Sequence, residues 1–170
     1  MFHHIKIFVS TTLIFLLVSC GGKESSTRIP VSTKSIEAET LLHEALKLNS
    51  ISKGDEAKKK LLKAIEVDEN FGFAYIVLST FGTNTVAETD KYYEKAVSLK
   101  NDLNEVEQCM LEVRTSYREN DTEKRMKYSK KILELIPENA FAHLRMAYTY
   151  WETADIENSR KYLLSAIDLD

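Results

Sequence analysis

The chain has 170 residues, with 23 Lys and Arg against 26 Asp and Glu, so its formal net charge is -3 at pH 7. That balance offers no basic stripe or patch for nucleic acid, and two cysteines among 170 residues exclude a disulfide-rich framework. Five glycines and two prolines leave little room for a turn-rich all-β fold, whereas the abundance of Ala, Leu, Glu and Lys favours helices.

The first element is a leader. Residues 1–19 read MFHHIKIFVSTTLIFLLVS, with Lys6 ahead of an apolar stretch from Ile7 to Val18. That run falls short of the roughly 20 residues needed to span a hydrocarbon core, and has the length and basic start of a secretory signal. Leu17-Val18-Ser19-Cys20, followed by Gly21-Gly22, resembles the bacterial lipobox, in which cleavage precedes a lipidated cysteine. The resemblance implies removal of residues 1–19 and a membrane anchor on Cys20. Loss of Lys6 would leave 22 basic against 26 acidic residues, and Cys109 as the one free thiol.

Residues 20–34 form the second element: the lipidated cysteine and a polar stretch, GGKESSTRIPVSTK, without helical periodicity. As a flexible linker of about fifteen residues it would span about 20 Å by random-chain scaling. Ser35 then reads as a helix N-cap, with Glu37 and Glu39 in the first turn where the helix dipole favours negative charge.

From residue 35 to 170 the chain repeats itself. Aligning LLKAIEVDEN, YYEKAVSLKN, YSKKILELIPEN and YLLSAIDLD places Ala64, Ala96, Ile132 and Ala166 at one equivalent position, spaced 32, 36 and 34 residues apart. A period of 34 is that of the tetratricopeptide repeat, a helix-turn-helix unit. NDTEKRMKYSKKILELIPENA resembles the second half of that repeat, with Asn120-Asp121 at the inter-helix turn and Pro137 closing it. AFAHLRMAYTYWETADIENSRKYLLSAIDLD resembles an almost complete repeat, with Met146, Ala147, Tyr150 and Ala166 at its signature positions. FAYIVLSTF follows the same pattern with Tyr75, Leu78 and Ser79. Glu112, Ser116, Ser129 and Ile132 depart from it.

The expected fold is therefore an all-α solenoid of about four helix pairs: Ile36–Asp68, Asn70–Leu99, Leu103–Ile136 and Ala140–Asp170. In the first pair Ala57, Leu61, Ala64 and Ile65 share one helical face, and stacked neighbours should bury it in a shared core. The whole chain is similar to tetratricopeptide lipoproteins of Bacteroidota-type bacteria, which implies location in the bacterial cell envelope.

Catalytic patterns are missing. His43-Glu44 begins like a zinc-protease helix, but Lys47 stands where the second histidine would be. No GxSxG elbow, GxxxxGK[ST] loop or CxxC pair occurs. Cys109 is spaced for a buried face with Val106, Met110, Val113 and Tyr117. Lys58-Lys59-Lys60 reads as a solvated helix face, and His143 as a packed histidine. Neither an enzyme, a metal nor a cofactor is expected.

The tetratricopeptide resemblance implies instead a groove lined by the first helix of each pair. Its ligand-facing positions fall on Phe73, Ile76 and Thr80; on Glu107, Met110, Arg114 and Tyr117; and on Phe141, Leu144, Tyr148 and Trp151. The lysine and asparagine clamp of the chaperone-binding versions is not present at Leu42/Leu46, Ile76/Thr80, Met110/Arg114 or Leu144/Tyr148. A protein or peptide ligand with apolar and aromatic anchors fits better, with Arg114 and Arg145 available to an acidic group. The resemblance leaves two further roles open, in an envelope assembly machine (outer-membrane barrel or pilus secretin) or as the accessory repeats of a signalling system. Finally, the last helix carries Tyr162, Leu163, Ala166, Ile167 and Leu169 on more than one side, so it is expected to pack against something, either a continuation in a longer natural version or a second copy of the chain through self-association.

Overall fold

The computed structural model describes residues 28–81 and 84–169. Among them are eight α-helices and one short 3-10 helix, and no strand: α1 (Ile36–Ser50), α2 (Gly54–Val67), α3 (Gly72–Leu78), α4 (Val86–Ser98), the 3-10 turn Lys100–Asp102, α5 (Glu105–Glu119), α6 (Thr122–Leu135), α7 (Ala140–Glu152) and α8 (Ile156–Leu169). Each odd helix packs chiefly on the even helix that follows it, and α2 on α3 and α6 on α7 join successive pairs. The second and third pairs meet through their first helices, α3 lying against α5. The result is an α-solenoid of four helix pairs, of tetratricopeptide type.

Local chemistry explains the boundaries. Ser35 caps α1 by accepting from the Ala38 amide, with Glu37 and Glu39 in the first turn. Thr85 with Glu88 and Asn104 with Glu107 form reciprocal capping boxes at α4 and α5. Asp121 caps α6 and Asn139 caps α7. The turns inside the first, third and fourth pairs each pass through one residue of left-handed backbone, Ser52, Asn120 and Ala154, at φ of 62°, 54° and 59°. These sit 68 and 34 residues apart, two periods and one. The repeat is thus written in the backbone as well as in the side chains.

The core follows the aligned positions. Ala64, Ala96, Ile132 and Ala166 are all buried, as are Ala57 and Leu61, with Ile65 half-buried beside them. The small side chains let paired helices approach, and Phe71, Phe73, Leu42 and Met146 fill the space between. The departures from the repeat pattern are satisfied individually. Buried Ser116 donates to the Val113 carbonyl within its own helix (2.6 Å). Ser129, also buried, meets Thr149 across the α6–α7 contact (2.9 Å). Glu112 is held by Lys100 at 2.5 Å and Lys124 at 3.0 Å. Burial pushes its carboxyl up, but these two ammonium groups outweigh that and hold it below the usual range.

One expectation is corrected. Residues 28–33 are not free linker but an extended strap docked on the solenoid: Ile29 is only 3 % exposed and belongs to the core cluster. The reason is that Ile29 and Val31 are apolar and the strap's backbone groups find polar partners far along the chain. The rest of the expected linker up to residue 27, with the leader and Cys20, lies outside the described residues.

Candidate protein-interaction surface

The surface is built on α5 and α7, the first helices of the third and fourth pairs. On α7, the 3-4-3 spacing of Phe141, Leu144, Tyr148 and Trp151 puts them on one face. The structure separates them by depth: Phe141 and Leu144 are half-buried, whereas Tyr148 is 60 % and Trp151 64 % exposed. Met146, Ala147 and Thr149 take the opposite, buried side. Two large aromatic rings therefore stand in solvent on a helix whose other face is anchored.

Beside them lies a fixed polar cluster. Arg125, almost fully buried, stacks its guanidinium over the Tyr117 ring at 3.8 Å and donates to Glu152 Oε2 at 2.7 Å. Tyr117 Oη donates to Glu152 Oε1 at 2.8 Å. Burial, and then this carboxylate, push the Tyr117 phenol above its ordinary range. Arg145 reaches toward the Phe141 ring, 5.8 Å from its centroid. Arg114 is half-buried and donates from Nε to Ser79 Oγ at 3.2 Å, linking α5 to the end of α3. Burial, and then the nearby Arg118, lower its pKa, yet a guanidinium stays charged in any protein setting. Arg118 itself pairs with Asp90 at 2.7 Å and stacks on Tyr93 at 4.5 Å.

Several residues expected in the groove are elsewhere. Phe73, Ile76 and Met110 are core residues, because their helices turn those faces into the stack. Thr80 is exposed but lies in the turn after α3, which ends at Leu78, so it shares no helical face with them. Glu107 is 0 % exposed: it closes the α5 capping box and binds the strap. Of the expected set, Tyr148 and Trp151 are exposed and Arg114, Tyr117, Phe141, Leu144 and Arg145 half-buried, and these form the candidate surface. Arg125 and Glu152 were missing from the expected set. Neither carries a local signal, since Arg125 lies on a second helix and Glu152 is one more surface acid until the fold brings them together.

Other candidates are structural. Cys109 is buried, and burial followed by the Glu105 charge pushes its thiol up, away from the reactive thiolate. A cleft of about 630 Å³ beside it is lined by Lys100, Glu105, Gln108, Glu112, Lys127, Tyr128, Lys130, Lys131 and Glu134, but Lys131 pairs with Glu105 (3.1 Å) and Lys100 with Glu112. His143 lies 2.7 Å from the Pro137 carbonyl and 6.0 Å from the Tyr162 ring, a packed position. Lys58 and Lys60 pair with Glu88 and Glu44, across to neighbouring helices, while Lys59 is exposed. Among the described residues no cluster of three or more His, Cys, Asp or Glu is placed to hold a metal, and no helix is long and apolar enough to cross a membrane.

Comparison with known families agrees with the fold. Residues 142–170, a range that takes in most of α7 and all of α8, match the tetratricopeptide repeat. Comparison with curated proteins gives no match. Fold and match together define the class: an all-α repeat architecture of tetratricopeptide type, a kind of repeat that typically serves protein interaction.

Proposed function

We propose that this protein is a lipid-anchored tetratricopeptide scaffold that holds a protein or peptide partner in the bacterial cell envelope. The observation that carries the reading is the pair Tyr148 and Trp151, about 60 % exposed on a helix that is otherwise packed. Large aromatic side chains are the residues that carry interface energy when a partner desolvates them, and a partner that covers both rings removes their apolar surface from water. Arg145 stands one turn before Tyr148 on α7 and Arg114 is half-buried on α5, so the fitting ligand is a segment with apolar or aromatic anchors and an acidic group. The membrane attachment rests on Leu17-Val18-Ser19-Cys20 behind its short apolar run. Two or three acyl chains, at about 0.8 kcal/mol per buried CH₂, suffice for stable anchoring.

The test is photo-crosslinking in the native host with a reactive amino acid at Tyr148 or Trp151. A discrete crosslinked partner, lost when the unaltered neighbour of the pair and Arg114 are changed to alanine, is the expected result. Crosslinks no richer than those from exposed Lys59 on α2 would refute the surface. A stoichiometric complex with a barrel or secretin would place the scaffold inside an assembly machine.

A further inference from the structure

The strap of residues 28–33 crosses the solenoid along the three turns that precede α3, α5 and α7, and is bound at each. Thr33 Oγ1 donates to Asp68 Oδ2 at 2.5 Å at the first turn. At the second, the Ser32 amide donates to Glu107 Oε1 (2.9 Å) and Asn104 Nδ2 donates to the Pro30 carbonyl (3.0 Å). At the third, Asn139 Nδ2 donates to the Arg28 carbonyl (3.3 Å). The strap thus advances two or three residues per turn. An extended chain rises about 3.3 Å per residue, so each step covers about 7–10 Å, close to the 8–10 Å at which helices stack. The spacing of an extended peptide and the spacing of the repeats are in register.

The chemistry is that of a receptor for backbone. Asn104 and Asn139 each use Oδ1 to cap the following helix, on the amides of Glu107 and Phe141, and turn Nδ2 outward to a strap carbonyl. Three of the four contacts read main-chain atoms of the strap. Specificity comes from Ile29, inserted into the core, from half-buried Val31, and from Pro30, whose ring holds φ near that of an extended chain. We propose that this row of inter-repeat turns is a binding site for an extended peptide of the Ile-Pro-Val-Ser-Thr kind, and that residues 28–33 fill it as a tethered ligand. It is a separate site from the Tyr148–Trp151 surface and does not depend on it.

The experiment uses the full chain with its own strap disabled by Ile29→Glu and Ser32→Pro, which remove the apolar anchor and the amide donor. A fluorescent peptide of residues 27–35 is titrated by anisotropy. Saturable binding is expected to the disabled chain, and at least tenfold weaker binding to the wild type, where a short tether keeps the resident segment at a local concentration on the order of millimolar. Adding Asn104→Asp or Asn139→Asp to the disabled chain should weaken the peptide at least tenfold more without loss of helicity, because aspartate keeps the cap acceptor and lacks the Nδ2 donor. A folded disabled chain with no saturable binding, or equal binding to both chains, overturns the proposal. If the disabled chain does not fold, a specific protease site inserted between Lys34 and Ser35 of the otherwise unaltered chain decides the matter. Exchange of the cut strap for labelled peptide supports a ligand, whereas unfolding on cutting, or release without rebinding, shows that no separable site exists.

Discussion

The junction between the third and fourth pairs holds α7 in place, and through it the exposed aromatic pair, so its polar contact is a sharp point of test. Thr149 has one hydroxyl proton and donates it to the Arg145 carbonyl at 2.9 Å. With that proton engaged, Ser129 is assigned as the donor in the 2.9 Å contact between the two buried hydroxyls. Thr149→Val preserves shape but leaves the Ser129 hydroxyl facing a methyl group in the core, at a cost of about 1–3 kcal/mol for an unsatisfied buried donor. Rotation of that hydroxyl onto a carbonyl one turn back sets the lower end of the range. Ser129→Ala is milder, about 0.5–1.5 kcal/mol, since Thr149 keeps its bond to Arg145. The double variant should cost little more than Ser129→Ala alone, because both partners are then apolar. Urea denaturation followed by far-UV circular dichroism measures all four proteins, and a loss of 1 kcal/mol corresponds to about 2–4 °C in Tm for a chain of this size. A Thr149→Val protein within about 0.5 kcal/mol of wild type, or a double variant equal to the sum of the singles, would refute the assigned donor.

Other outcomes are equally specific. Trp151→Ala and Tyr148→Ala should change stability by no more than about 0.5 kcal/mol, yet weaken a crosslink-identified partner by roughly 1–3 kcal/mol in a binding titration; a loss near the 3–5 kcal/mol of a core aromatic deletion would assign the rings to the core. Ala154→Asn should raise Tm slightly, by up to about 1 kcal/mol in stability, because asparagine tolerates the left-handed backbone that alanine pays for sterically. The Glu112 carboxyl has a folded pKa below its unfolded value, so its stabilisation is present above the unfolded pKa and is lost as pH falls through the folded one; Glu112→Gln should therefore cost more at pH 7 than at pH 3. Cys20→Ser should accumulate as an unprocessed precursor, and normal processing and fractionation would remove the lipobox assignment. Leu164→Glu with Ile167→Glu, which replace two exposed residues of α8, should abolish any concentration-dependent association seen in light scattering, and a wild type that stays monomeric at high concentration would show that this face makes no such contact.

The periodicity alone was enough for the repeat and its register. Ala64, Ala96, Ile132 and Ala166 are legible at one position because a helix pair can close only over a small or well-fitted side chain there, and all four are buried. Caps such as Ser35 and the turn at Asn120-Asp121 are legible for a similar reason, since the chemistry that satisfies a helix end is local. The 3-4-3 stripe of α7 could be read as a face, but not its depth: Tyr148 and Phe141 share a helix side and differ in exposure only because of what stands next to them. On α3 and α5 the same positional rule placed Phe73, Ile76, Met110 and Glu107 on a ligand surface, where the stack instead covers them. Helical spacing states which side chains point together, whereas burial depends on the neighbour that the tertiary fold supplies. The strap shows this most plainly. Its contacts join residues 35, 74, 75 and 111 positions apart, and no pattern within a polar stretch ahead of the first helix announces partners at such distances. Only the stacking of three successive turns brings their side chains to the spacing of an extended backbone.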